Sequence, residues 1–131
     1  MHRRKIKILL IDDEENLGFF VKANLELEDK YQVLLATNGK KGLSMAGWDK
    51  PDIIVLDIMM PGIDGFEVLR RLKEDEKTTS IPIIMLTALQ DEGSKMKAAS
   101  LYGEDYIVKP VAIEDLKARI DTLLSNRPPI S

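Results

Sequence analysis

Pro51-Asp52-Ile53-Ile54-Val55-Leu56-Asp57-Ile58-Met59-Met60-Pro61-Gly62-Ile63-Asp64-Gly65 is the stretch on which the fold turns. Ile53–Asp57 is nearly all apolar and ends in one carboxylate. A strand with one wet face alternates apolar and polar residues. A run without alternation is buried on both faces, as in a parallel sheet with helices on each side. Asp64-Gly65 then leads into a helix with Phe66, Val68, Leu69 and Leu72 on its inner side. A strand, a carboxylate and a helix in that order form one unit of an alternating α/β chain.

The same unit recurs on both sides of this stretch. Upstream, Lys5–Ile11 reads as a strand, and Glu15 to about Leu27 as a helix with Leu17, Phe20, Val21, Asn24 and Leu25 at roughly helical spacing. Gln32–Ala36 is a second strand, and Gly39 to about Gly47 a short helix carrying Leu43 and Ala46. Downstream, Ser80-Ile81-Pro82 punctuates and Ile83–Leu86 is the fourth strand. Asp91 to about Leu101 is a helix of low hydrophobicity, Tyr106–Val108 a short fifth strand, and Ile113 to about Leu124 the last helix, marked by Ile113, Leu116, Ile120, Leu123 and Leu124. Trp48 reads as packing at the end of the second helix. Five strands alternating with five helices demand a doubly wound parallel sheet.

Composition agrees with one such domain. The chain has 131 residues, 44% apolar and 31% charged, which suits a single soluble core. Cysteine is absent, so disulfides and thiolate metal sites are excluded and a cytoplasmic location is the default expectation. The one histidine, His2, leaves no material for histidine-based catalysis or a multi-histidine metal site. A net charge of −3 does not favour nucleic-acid binding, and the basic opening His2-Arg3-Arg4-Lys5 reads as a solvated start to the first strand. No apolar run approaches the ~20 residues that span a bilayer.

The chemistry collects at the carboxyl ends of the strands. The first strand ends in Asp12-Asp13, the third in Asp57, the fourth in Thr87 and the fifth in Lys109. In a doubly wound sheet, ligand sites form outside these ends. Each residue alone has a plain structural reading as a cap or turn residue. Five such groups on four strand ends point instead to one cleft. Carboxylates held together repel, so at least one should have a raised pKa, and a hard cation such as Mg2+ would relieve the repulsion. With a lysine and a hydroxyl beside them, these groups are suited to holding a phosphoryl group.

Four blocks carry a family resemblance: Ile8-Leu9-Leu10-Ile11-Asp12-Asp13-Glu14-Glu15, the Pro51–Gly65 stretch, Pro82-Ile83-Ile84-Met85-Leu86-Thr87-Ala88, and Asp105-Tyr106-Ile107-Val108-Lys109-Pro110. In order and spacing the chain resembles the receiver domains of two-component response regulators over about residues 5–125. The resemblance implies a flavodoxin-like (β/α)5 fold with strand order 2-1-3-4-5, a receiver over residues 1–125, and 126–131 as a tail or the start of a linker. It implies that Asp57 is the phosphoacceptor, and that Asp13 and Asp57 bind Mg2+ directly. Asp12 would act mainly through a coordinated water, with the Met59 carbonyl a further ligand. Thr87, the Ala88 N–H and Lys109 would contact phosphoryl oxygens, and Lys109–Pro110 would be cis.

The partners so implied are a sensor histidine kinase or phosphotransfer protein, and a downstream protein or an effector domain beyond residue 131. No direct contact with nucleic acid or membrane is implied, and a phosphorylation-dependent homodimer is compatible. Tyr106 would turn inward on phosphorylation as Thr87 moves. The face built from the fourth predicted helix, fifth strand and last helix would change shape. The chain departs from the family at Tyr102-Gly103, where Gly-Ala is usual, which bears on partner choice. Met59 and Leu89, two residues after Asp57 and Thr87, are apolar and predict slow dephosphorylation.

Other classes fit less well. A flavin-binding electron carrier needs a small-residue phosphate loop after the first strand. Asp12-Asp13-Glu14-Glu15-Asn16 stands there instead. Aspartate-nucleophile phosphatases carry Asp-x-Asp on the first strand, not adjacent acids. Neither G-x-x-x-x-G-K-[ST] nor G-x-G-x-x-G occurs. A receiver-like interaction module that works without phosphorylation is the remaining alternative.

Overall fold

The computed structural model describes residues 4–88 and 105–125. The predicted helix over 91–101, the departure at Tyr102-Gly103, Leu89 and the tail over 126–131 lie outside the described residues. The elements run β1 (Ile6–Ile11), α1 (Glu15–Leu25), β2 (Tyr31–Ala36), α2 (Gly39–Asp49), β3 (Ile53–Asp57), α3 (Gly65–Glu74), β4 (Ile83–Thr87), β5 (Asp105–Val108) and α4 (Ile113–Ser125). All neighbouring strands pair in parallel, in the order β2-β1-β3-β4-β5, the flavodoxin-like arrangement.

The strand sequences explain the two cores. Odd and even positions of each central strand face opposite sides, as the period of two requires. Leu9, Ile11, Ile54, Leu56, Ile83 and Met85 pack with Ala46 of α2 and Val68, Leu69 and Leu72 of α3. Ile8, Leu10, Ile53, Val55, Ile84 and Leu86 pack with Val21 and Leu25 of α1 and Leu116 and Ile120 of α4. Every residue of β3 and β4 is buried, in keeping with the unbroken apolar runs.

Edge strand β2 leaves the Val33 peptide facing away from β1. The Val33 N–H donates to Glu26 Oε2 (2.8 Å) and its carbonyl accepts from Lys22 Nζ (2.8 Å), while Lys22 and Glu26 pair with each other at 2.9 Å. An ion pair at the end of α1 thus occupies edge groups that would otherwise invite another strand.

Three expectations about helix faces need correction. Helix α1 stops at Leu25, with the Glu26 N–H donating to Lys22 O, and Leu27 beyond it is 82% exposed. The inner stripe of α1 is narrower than its apolar spacing predicts: Val21 and Leu25 are buried, whereas Phe20 is 48% exposed. Trp48 does not pack; it is 85% exposed. Gly42 and Ala46 hold the buried face of α2, and two residues of helix turn Trp48 by about 200° from Ala46.

Candidate functional site

The sheet delivers its polar residues to one edge. Asp12 follows β1, Asp57 ends β3, Thr87 ends β4 and Lys109 follows β5. The register sets Ile11 beside Leu56, Asp57 beside Leu86, and Thr87 beside Val108, so these ends lie at one level across the sheet. The Lys109 N–H donates to Thr87 O at 2.7 Å, which ties the lysine's turn to β4. The Lys109–Pro110 bond is cis, as expected.

Asp12 and Asp57 are buried, each 3% exposed, and Asp13 is exposed beside them. The three acids each offer an oxygen within 4.8 Å of the others. Asp12 Oδ1 accepts from the Glu14 N–H at 2.9 Å, and Asp57 Oδ1 from the Met59 N–H at 3.2 Å. Asp12 Oδ2 lies 3.2 Å from Lys109 Nζ, without an aligned hydrogen bond. It is the one buried side-chain polar atom among the described residues that has no hydrogen-bond partner. Asp57 Oδ2 is 3.5 Å from the same ammonium.

This crowding sets the protonation behaviour. Burial, and then the neighbouring Asp12 charge, push the Asp57 carboxyl up to about 6 against the pull of Lys109. Burial likewise raises Asp12. Burial opposes the Lys109 charge, but the Glu14 hydrogen bond and the charges of Asp12 and Asp57 outweigh it and hold the ammonium above its usual range. The expected repulsion is therefore present, and one ammonium answers it only in part. A buried carboxylate oxygen without a hydrogen-bond partner, beside two further acids, is a donor set that suits a hard, oxygen-loving divalent cation.

Thr87 is fully buried, and its hydroxyl donates to the Ala88 carbonyl at 3.2 Å. Ala88 is half-buried. Met59 is 61% exposed. Tyr106 is half-buried against the core on the α2–α3 side, and Arg119 Nη1 donates to its carbonyl at 2.8 Å. Sequence reading assigned no role to Glu14, yet Lys109 Nζ donates to Glu14 Oε1 at 2.7 Å. Ninety-five residues separate the pair, so no local pattern could reveal it.

Fold and site together define an open, doubly wound α/β protein that gathers acids and a lysine at the carboxyl edge of its sheet. Residues 8–121 match the response regulator receiver domain, and the chain belongs to that family, the receivers of two-component systems. It is 42% identical to the DNA-binding dual master transcriptional regulator RpaA of Synechocystis, over 90% of this chain and 48% of that protein. It is 39% identical to the alkaline phosphatase synthesis transcriptional regulatory protein PhoP of Bacillus subtilis, over 90% of this chain and 48% of that one. The chain thus spans about half the length of these curated relatives. Among solved structures, the receiver domain of the Francisella response regulator 1452 superposes with a TM-score of 0.82 at 30% identity, covering 92% of this chain and 98% of that one. No helix among the described residues is long and apolar enough to cross a membrane.

Proposed function

We propose that this domain accepts a phosphoryl group on Asp57, from the phosphohistidine of a sensor kinase or phosphotransfer protein, and that Mg2+ assists. The observation that carries this reading is the buried pair Asp12 and Asp57, with Asp13 beside it and Lys109 within ion-pair distance of both buried acids. Asp13, Asp57 and the Met59 carbonyl would hold the metal, and Asp12 would act mainly through a coordinated water. When bound, Mg2+ would neutralise the acids and the transferring oxygens.

An Asp57 oxygen attacks phosphorus in line. The bond between phosphorus and the donor imidazole breaks, and the imidazole keeps the electron pair. Lys109, the Thr87 hydroxyl and the Ala88 N–H then serve the phosphoryl oxygens. For Thr87 this requires its hydroxyl to leave the Ala88 carbonyl. Phosphorylation adds about −1.5 to −2 charge and new acceptors at the sheet edge. Thr87 moves toward them, Tyr106 follows inward, and the surface around β5 and α4 shifts between two states. Residues 1–125 form the receiver, and 126–131 are a tail or the start of a linker. Output passes to a downstream protein or an effector domain, or through a phosphorylation-dependent homodimer, in the cytoplasm. Hydrolysis of the acyl phosphate resets the domain.

Intact mass after incubation with acetyl phosphate tests this. Wild type should gain one phosphoryl group only when Mg2+ is present, and Asp57→Ala should gain none. A folded wild type that stays unmodified would leave a phosphorylation-independent interaction module as the reading.

Reset should be slow. Met59 stands beside Asp57 and cannot orient a water molecule, and Leu89 is equally apolar. Met59→Asn with Leu89→Glu should shorten the phosphoryl lifetime by about tenfold. A longer lifetime in that variant, followed by loss of the mass adduct, would refute the expectation.

A further inference from the structure

One charged side chain at the site has no part in the chemistry proposed above. Glu14 is the closest partner of Lys109: Nζ lies 2.7 Å from Glu14 Oε1, 3.2 Å from Asp12 Oδ2 and 3.5 Å from Asp57 Oδ2. Of these contacts only that to Glu14 is an aligned hydrogen bond. Glu14 is the N-cap residue of α1, yet its side chain does not cap the helix. Its backbone is fixed instead, because its N–H donates to Asp12 Oδ1. The side chain is thereby left to reach across to the turn after β5.

The three counter-ions of Lys109 differ in freedom. The side chains of Asp12 and Asp57 are 0% and 5% exposed and cannot leave the site. That of Glu14 is 61% exposed and can swing into water at little cost, since a half-solvated ion pair is weak. Among the described residues, the nearest partner of Lys109 is thus also the one free to leave.

We propose that Glu14 is a positioning residue, a latch that holds Lys109 in the unphosphorylated domain and yields it when a phosphoryl group arrives on Asp57. This rests on the reading of Asp57 as phosphoacceptor. The latch sets how readily the anion-bound state forms. Without it, Lys109 is already available, and a phosphoryl group or its mimic binds more tightly.

The test is calorimetric titration of beryllium fluoride into the domain at saturating Mg2+. Four proteins are compared: wild type, Glu14→Gln, Glu14→Asp and Glu15→Gln. Thermal melts and Mg2+ titrations of each run alongside. Glu14→Gln should bind beryllium fluoride about five-fold more tightly, the scale of one partly solvated ion pair. Glu14→Asp keeps the charge but is one methylene too short to reach Lys109, so it should tighten binding similarly. Glu15→Gln removes the neighbouring charge, which makes no ion pair with Lys109, and should behave as wild type. Equal affinity in wild type and Glu14→Gln overturns the latch, as does an equal gain in Glu15→Gln or a Glu14→Asp protein that matches wild type. A wild type that binds no beryllium fluoride overturns the phosphoacceptor reading, and the latch with it.

Discussion

Gly65→Ala should lower the unfolding free energy by about 3 kcal/mol or more, well beyond the usual cost of a surface substitution. Gly65 opens α3 directly under the strand that carries Asp57, and its N–H donates to Ile58 O at 2.8 Å, closing the loop after β3. A Cβ there would collide with the Asp57 carbonyl oxygen, sit 2.5 Å from Ile58 Cα and 2.9 Å from Ile58 O. All three are backbone atoms, so no rotamer change makes room, and the loop and helix must move apart. The packing of Val68, Leu69 and Leu72 on β3 would loosen with them. Urea denaturation measures the effect, and a loss below about 1 kcal/mol would show that the loop tolerates separation from the helix. Because Asp57 ends the strand from which this loop leaves and Met59 lies in the loop, the proposed Mg2+ affinity should fall in the same variant.

Asp57→Asn should act in the opposite direction and stabilise the metal-free domain at pH 7.5 by about 2 kcal/mol. Burial and the Asp12 charge raise the Asp57 carboxyl in the fold to about 6. The unfolded chain releases the same proton near the ordinary value of 3.8. Between those values the folded state binds more protons than the unfolded state, so stability falls as pH rises from about 4 to about 6, and the penalty is complete above 6. Asparagine removes that penalty but also one of the anions facing Lys109, which trims the gain. Melting in EDTA should therefore find wild type more stable at pH 5.5 than at pH 7.5 in this contribution, with a flatter profile for Asp57→Asn. Mg2+ should stabilise wild type at pH 7.5 far more than the variant. A variant no more stable than wild type at pH 7.5 would mean that the pairing with Lys109 outweighs the desolvation of Asp57.

The parts of this site differ in how visible they are in the sequence. Asp12, Asp13, Asp57 and Lys109 could be found because each follows a short apolar run, and parallel topology brings such ends to one edge. Asp12, Asp57 and Lys109 do meet, within 3.5 Å of one ammonium. Glu14 stood in the same quoted block, but nothing local separates its side chain from that of Glu15. Only the turn after β5, brought next to α1 by the sheet, selects it.

The sequence by itself determined the alternation of strands and helices, the burial of β3 on both faces, and the residues at the strand ends. These follow from periodicity and chain order, which are local properties. The tertiary structure alone decided which way marginal side chains point. Phe20 and Trp48 have apolar character that suggests an interior position, but smaller or better-placed neighbours on α1 and α2 fill the space against the sheet, and both rings face outward. Only the position of β2 makes Lys22 and Glu26 partners of the Val33 peptide. The raised proton affinity of Asp57 arises from burial and from Asp12, 45 positions away in sequence. Such properties depend on distances between remote segments, and distance enters only when the chain is folded.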